Sequence, residues 1–183
     1  LWTEDIRREE RKERNEKIFQ LWLACKTQKE IAKEFHIDQS LVAKILGSMK
    51  NSKIREIHTP DSLQVFTIWN FPRCDPEYGI EDYPGRMPGQ VVENLLYYYT
   101  EPFDIVLDPM AGSGTTIDVC KKMFRRYIAF DIEPIRDDIR QNDITKGIPL
   151  NKNSVDFIIL DPPYWDQKKG EYSKNPNDLS NLE

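Results

Sequence analysis

The chain has 183 residues, 39% of them hydrophobic, with 26 Lys+Arg against 31 Asp+Glu and a net charge of −5. That hydrophobic share supports a core and excludes wholesale disorder, and no run approaches the roughly 18 apolar residues of a membrane span. Three scattered cysteines (Cys25, Cys74, Cys120) and two histidines (His36, His58) form neither a disulfide framework nor a metal-ligand spacing, so a cytoplasmic protein without a bound metal is expected. The charge is uneven. Residues 1–55 carry 13 Lys+Arg against 9 Asp+Glu, a surplus of four, and the remainder carries 13 against 22, a deficit of nine. A basic front end suits a polyanion, although on charge alone a solvated helix is the better account.

In chain order, residues 4–24 read as a helix whose first half is densely charged. Ile18, Leu21 and Trp22 then recur at the spacing of a buried face. Thr27 with Glu30 three residues on makes a capping box for a second helix ending near Phe35, with Ile31, Ala32 and Phe35 inward. His36-Ile37-Asp38 is a tight turn. Asp38 is placed to cap a third helix, Gln39 to Leu46, with Val42, Ile45 and Leu46 inward, and Gly47 is expected to end it. Ser62 to Phe71 is apolar and β-branched and predicts a strand. Prolines 72, 76, 84 and 88 punctuate a loop, and Gln90 to Tyr99 predicts a helix stopped by Pro102.

From Asp104 the pattern becomes strand (to Leu107), glycine turn (Gly112-Ser113-Gly114), helix (Thr116 to Met123) and strand (Arg126 to Phe130). Val155 to Leu160 is a continuous apolar run, as in a buried parallel strand. Strands alternating with helices predict a parallel α/β sheet. Cys120 falls within a helix and reads as core.

Two resemblances follow from these residues. The string Thr27 to Leu46, "TQKEIAKEFHIDQSLVAKIL", resembles the helix-turn-helix of bacterial DNA-binding proteins. Cys25 and His36 stand where glycine is common, and histidine tolerates the left-handed conformation better than most residues. The resemblance implies that Gln39, Ser40, Leu41 and Lys44 face the major groove. The plainer alternative is a helical protein-interaction module.

The second resemblance rests on three motifs. Asp108-Pro109-Met110-Ala111-Gly112-Ser113-Gly114-Thr115-Thr116 follows a strand and opens a helix, where glycines let backbone turn sharply and approach a ligand. Asp131 ends the next strand, 23 positions after Asp108. Asp161-Pro162-Pro163-Tyr164 follows the apolar run. In this order the motifs resemble those of the S-adenosylmethionine-dependent DNA amino-methyltransferases of the N6-adenine and N4-cytosine type. Met110-Ala111 departs mildly from the family's usual Phe-x. Tyr83-Pro84-Gly85-Arg86-Met87-Pro88 is similar to the family segment that covers the methionine end of the cofactor.

The resemblance implies a fold, a cofactor and a chemistry. The fold class is α/β: a partial Rossmann-like methyltransferase sheet (residues 83–183) behind a small all-α helix-turn-helix domain (residues 1–55), with residues 56–82 as linker and strand. The cofactor is S-adenosylmethionine, held by Asp108 to Thr115. Asp131 and Ile132 sit at the ribose, and Asp143 at the adenine. The second crossover is short, because only Pro134 to Asn142 separates the second strand from Asp143. The partner is DNA, with no membrane and no metal, and the oligomeric state is left open.

An exocyclic amino group is a poor nucleophile because its lone pair is delocalised into the ring. The family assigns the Asp161 carboxylate and the Pro162 carbonyl to accept its N–H groups and localise that pair. Pro163 completes the loop, and the Tyr164 ring stacks on a base extruded from the duplex. Adenine N6 is favoured over cytosine N4. The alternatives are an RNA guanine amino-methyltransferase and a DNA-binding regulator with an inactive methyltransferase domain. Only 19 residues follow Tyr164 where the family sheet has seven strands, so the chain is expected to be a fragment with little activity of its own.

Overall fold

Helix-forming runs occupy the front of the chain and β-branched runs its second half. In the computed structural model, which describes residues 2–163 and 170–181, they fold as two units, residues 1–58 and 59–183.

The first unit is three helices, α1 (Trp2–Leu23), α2 (Gln28–Phe35) and α3 (Gln39–Ile54). Ile18, Phe19 and Leu23 of α1, Ile31 and Ala32 of α2, and Val42, Ile45 and Leu46 of α3 make its core. Burying each of the large aliphatic or aromatic side chains contributes about 1.5–3 kcal/mol. The inner face of α1 is turned from the expected one, since Phe19 and Leu23 are buried and Leu21 and Trp22 only half-buried.

Cys25 breaks the chain after α1 with φ +59°. Thr27 and Glu30 form the capping box, Thr27 Oγ1 accepting from the Glu30 N–H and the Glu30 carboxylate from the Thr27 N–H. His36 takes the left-handed conformation (φ +52°) that the turn requires. Two expectations fail here. Asp38 sits at the N-cap of α3 without a capping hydrogen bond. Gly47 does not end α3, which runs on to Ile54. Interior glycine costs only about 1 kcal/mol relative to alanine, and the residues after it are adequate helix formers.

The second unit holds a parallel sheet of four strands in the order β3-β2-β1-β4. These are β1 (Ile105–Asp108), β2 (Arg126–Asp131), β3 (Arg140–Gln141) and β4 (Phe157–Ile158). β1 pairs with β2 over four residues and with β4 over two. Helix α5 (Thr115–Lys122) is the crossover from β1 to β2, and α4 (Gly89–Tyr99) precedes β1. Val106, Leu107, Ile117, Val119, Cys120 and residues 127–130 bury the sheet against α5. Arg125, itself buried, donates to the carbonyls of Leu96, Thr100 and Met123 and to the Thr100 hydroxyl, tying the end of α4 to the start of β2.

Two strand expectations are corrected. Residues 62–71 contain no strand. Their backbone is held by α4 side chains instead: Gln64 N–H donates to Asn94 Oδ1, Asn94 Nδ2 donates to the Ser62 carbonyl, and the Tyr98 hydroxyl donates to the Gln64 carbonyl. A segment whose polar groups are met this way needs no partner strand. Val155 to Leu160 is not a strand buried on both faces either. Only Phe157–Ile158 joins the ladder, and Ile158 and Leu160 are 46% and 63% exposed, because no described strand lies beyond β4. Among the described residues no helix is long and apolar enough to cross a membrane.

Candidate active site

β1 ends in Asp108, and the chain then turns through Pro109 to Gly114 into α5. Gly112 (φ +46°) and Gly114 (φ +81°) occupy conformations that side-chain-bearing residues avoid. A Cβ on Gly112 would lie 2.9 Å from the Tyr83 ring, so the close approach itself requires glycine. The loop is pinned to the neighbouring strand by hydrogen bonds. Ala111 N–H donates to the Phe130 carbonyl (2.9 Å), and Gly112 N–H donates to the Asp131 carboxylate (2.8 Å). The other Asp131 oxygen accepts from the Glu133 N–H (3.0 Å). A carboxylate offers about four lone-pair sites, so Asp131 keeps acceptor capacity after both bonds.

A second layer holds the loop from behind. Arg136 donates to the carbonyls of Ser113 and Gly114 and forms a two-pronged pair with Asp118 at 2.8 Å on each prong. The Gly79 N–H also donates to Asp118, and the Ile80 N–H donates to the Ser113 carbonyl. These bonds lay the 78–88 segment across the glycine loop. Neither Asp118 nor Arg136 was singled out by motif reading. An acid four residues into the helix and a basic residue after the second strand were the only available signal.

The result is a cleft enclosing about 980 Å³, solvent at its mouth included. Its floor is Asp108 to Ser113 with Thr115 and Thr116, and its sides are Asp131-Ile132 and Asn142-Asp143-Ile144. Asp161, Pro162 and Pro163 stand at the same cleft, as do Tyr83 and Gly85 to Met87. The structure thus brings three sequence motifs, separated by up to 53 positions, to one concavity.

Gly114 is the exception. It does not line the cleft, and the space beside its Cα is filled by the Arg136 guanidinium. Asp143 lines the cleft while also serving its own chain: its Oδ1 accepts from the Thr145 N–H (3.0 Å) and hydroxyl (2.6 Å), and Lys146 pairs with it at 3.1 Å. The Thr145 hydroxyl and then Lys146 hold the Asp143 carboxyl below its usual range. Tyr164 lies outside the described residues. Tyr172, Asn177, Asp178 and Leu179 also line the cleft, which the polar composition of the C-terminal stretch did not signal.

The cleft is acidic. Asp108 is 5% exposed, and desolvation lifts its carboxyl to about 6, against opposing hydrogen bonds from Thr116 and the Met110 N–H. The charges of Asp131 and Asp161 add to the lift. Partial desolvation also pushes the Asp161 carboxyl up. A second, open groove shares Asp161 and residues 85–87 with the cleft and runs along Phe157 to Leu160 and the α4 residues Val91 and Leu95. Asp161 therefore stands where two concavities meet. Among the described residues no cluster of side chains could hold a metal ion.

Gln39, Ser40, Leu41 and Lys44, in the first unit, are all exposed along α3.

Comparison with known proteins covers the glycine loop and Asp131. A family model described as DNA methylase matches residues 3–140. The Type II methyltransferase M.HinfI of Haemophilus influenzae is 31% identical over 114 residues, covering 58% of this chain and 32% of that protein. The Type II methyltransferase M.MjaII of Methanocaldococcus jannaschii is 34% identical over 104 residues, covering 55% of this chain and 18% of that protein. The chain thus spans a third or less of the length of these relatives. No solved structure matches it. With the family match extending over well more than half of its residues, the chain belongs to the N6/N4 DNA methylase family.

Proposed function

We propose that the protein transfers a methyl group from S-adenosylmethionine to an exocyclic amino group of a DNA base, with adenine N6 favoured over cytosine N4. The observation that carries this reading is that Asp161, Pro162 and Pro163 line the same cleft as the glycine loop and Asp131.

The cleft fits the cofactor in three respects. The glycine loop lines the cleft from Asp108 to Ser113, with Gly112 in the left-handed conformation that its sharp turn needs. Asp131 retains acceptor sites for ribose hydroxyls. The buried Asp108 and the half-buried Asp131 place two carboxyl groups at the cleft, which favours a cationic ligand. When bound, the cofactor supplies an electrophilic methyl group on a sulfonium. Asp108 to Ser113 with Thr115 would cradle it, Asp131 and Ile132 would hold its ribose, and Asp143 would lie at its adenine.

The protein's own part is acceptance and orientation. The Asp161 carboxylate and the Pro162 carbonyl would take the two N–H groups of the target amine. That localises the nitrogen lone pair and aims it into the cleft. Proline brings no N–H of its own to compete for the amine's lone pair. The groove along β4, which also reaches Asp161, gives the base an approach separate from the cofactor's. Tyr164 is assigned to stack on the base. In the first unit, the exposed α3 residues Gln39, Ser40, Leu41 and Lys44 are assigned to DNA contact. The helix-turn-helix favours DNA over RNA, since the A-form major groove is too narrow for a helix.

Incubating the full-length protein with methyl-labelled cofactor and either DNA or RNA tests the reading. Label is expected in DNA, in a nucleoside that mass spectrometry identifies as N6-methyladenosine in its deoxy form. Label in RNA alone, or in neither polymer, contradicts it.

A further inference from the structure

The last described stretch, residues 170–181, has few apolar residues and no core of its own, yet it is ordered by a compact set of polar bonds. The Asn181 carboxamide closes it. Its Oδ1 accepts from the Gly170 N–H (2.9 Å), and its Nδ2 donates to the carbonyls of Ser173 (3.1 Å) and Asn175 (2.9 Å). Asp178 adds an inner turn, accepting from the N–H (2.8 Å) and hydroxyl (2.6 Å) of a fully buried Ser180. The Lys174 N–H donates to the Glu133 carboxylate (3.0 Å), two residues past Asp131, and so joins the knot to the end of β2.

What the knot presents to the cleft is specific. The Tyr172 hydroxyl presses on Gly85, where any Cβ would collide with it. Its ring sits 6.3 Å from that of Tyr83, which also lies against Gly112. Two tyrosines therefore span from the glycine loop to the cover segment. The Asp178 carboxylate is buried and lines the cleft, and its bonds to Ser180 engage only one oxygen. Burial, and then the charges of Asp131 and Asp178, push the Tyr83 phenol well up, so it stays a neutral hydrogen-bond donor beside these acids.

We propose that residues 170–181 form a third wall of the cofactor cleft, in which Tyr172 and Asp178 contact the sulfonium cofactor and Asn181 is the positioning residue that holds them there. This rests on the cofactor assignment made above. A wall built from local polar bonds opens at low cost, so the ligand it touches closes it further. The exposed Lys174 lies within it and reports on that closure.

The test uses the intact protein and S-adenosylmethionine. Calorimetric titration of Tyr172→Ala and Asn181→Ala should give a Kd about ten-fold weaker than wild type, with Tyr172→Phe within about three-fold because the ring contact is kept. Ligand-free melting temperatures should match wild type. Trypsin cleavage after Lys174 in the wild-type protein should slow about ten-fold at saturating cofactor. That protection needs no substitution, so it is read even if Asn181→Ala misfolds. If Asp131→Ala loses binding while Tyr172→Ala and Asn181→Ala bind as wild type and Lys174 is cut equally with and without cofactor, the wall is overturned and the cofactor assignment stands. If wild type binds no S-adenosylmethionine, both fall together.

Discussion

Asp131 and Asp161 face the same cleft from strand tips that are held very differently. Asp131 ends a six-residue strand paired on both sides, and its carboxylate is bonded to two backbone N–H groups, one of them in the glycine loop. Asp161 follows a two-residue strand that among the described residues pairs on one side, stands exposed, and has exposed Ile158 and Leu160 just before it. The β2 side of the cleft is thus held by strand pairing and hydrogen bonds to the glycine loop, while the side assigned to the target amine has less support. That division suits their tasks. A cofactor site gains affinity from preorganisation, and a site that receives an extruded base must admit a large group from outside.

The contrast is open to attack from several directions. The largest effect is expected at Asp131. Replacing it with alanine removes the proposed ribose acceptor and strands the Gly112 N–H, so cofactor affinity measured by calorimetry should fall about 100-fold. An effect under three-fold would mean that this wall is not preorganised by its carboxylate. Asp108 is next. Burial lifts its carboxyl to about 6 in the folded protein, above the ordinary carboxylate range near 4. The folded protein therefore holds this proton more tightly than the unfolded chain, and the associated stability is full below pH 4. It is lost as pH rises through 6, by up to about 3 kcal/mol. Urea denaturation of wild type and Asp108→Asn across pH 4 to 7 isolates the effect as a growing difference in favour of the variant.

The smallest effects test the loose side. Leu160→Ser, at a 63% exposed position, should change the stability of the 183-residue chain by no more than about 0.5 kcal/mol. Leu107→Ala, at a 2% exposed position in β1, should cost about 3 kcal/mol by the same denaturation measurement. Similar costs for the two would erase the distinction between the strands.

Legibility in the sequence followed the range of the interactions. That the glycine loop, Asp131 and Asp161-Pro162-Pro163 come to one cleft could be read because each is a short string at or just past a strand tip. The capping box and the left-handed His36 were readable because they too are short and local. Residues 62–71 misled because an apolar, β-branched run says nothing about who satisfies the backbone, and here Asn94 and Tyr98 of α4 do so. Gly47 misled because a single glycine cannot stop a helix whose next residues favour continuing. The knot at 170–181 was invisible because side-chain closure by Asn181 leaves no hydrophobic period to detect. The role of Arg136 behind Gly114 depends on a contact across 22 positions that no motif records.

The central claim is that Asp161 acts on the target amine and not on the cofactor. Its most direct test is Asp161→Ala, with S-adenosylmethionine binding followed by calorimetry and methyl transfer to DNA followed by mass spectrometry of the nucleosides. The account predicts a Kd within about two-fold of wild type and transfer reduced at least about 1,000-fold. Methylated DNA formed at a near-wild-type rate would contradict it.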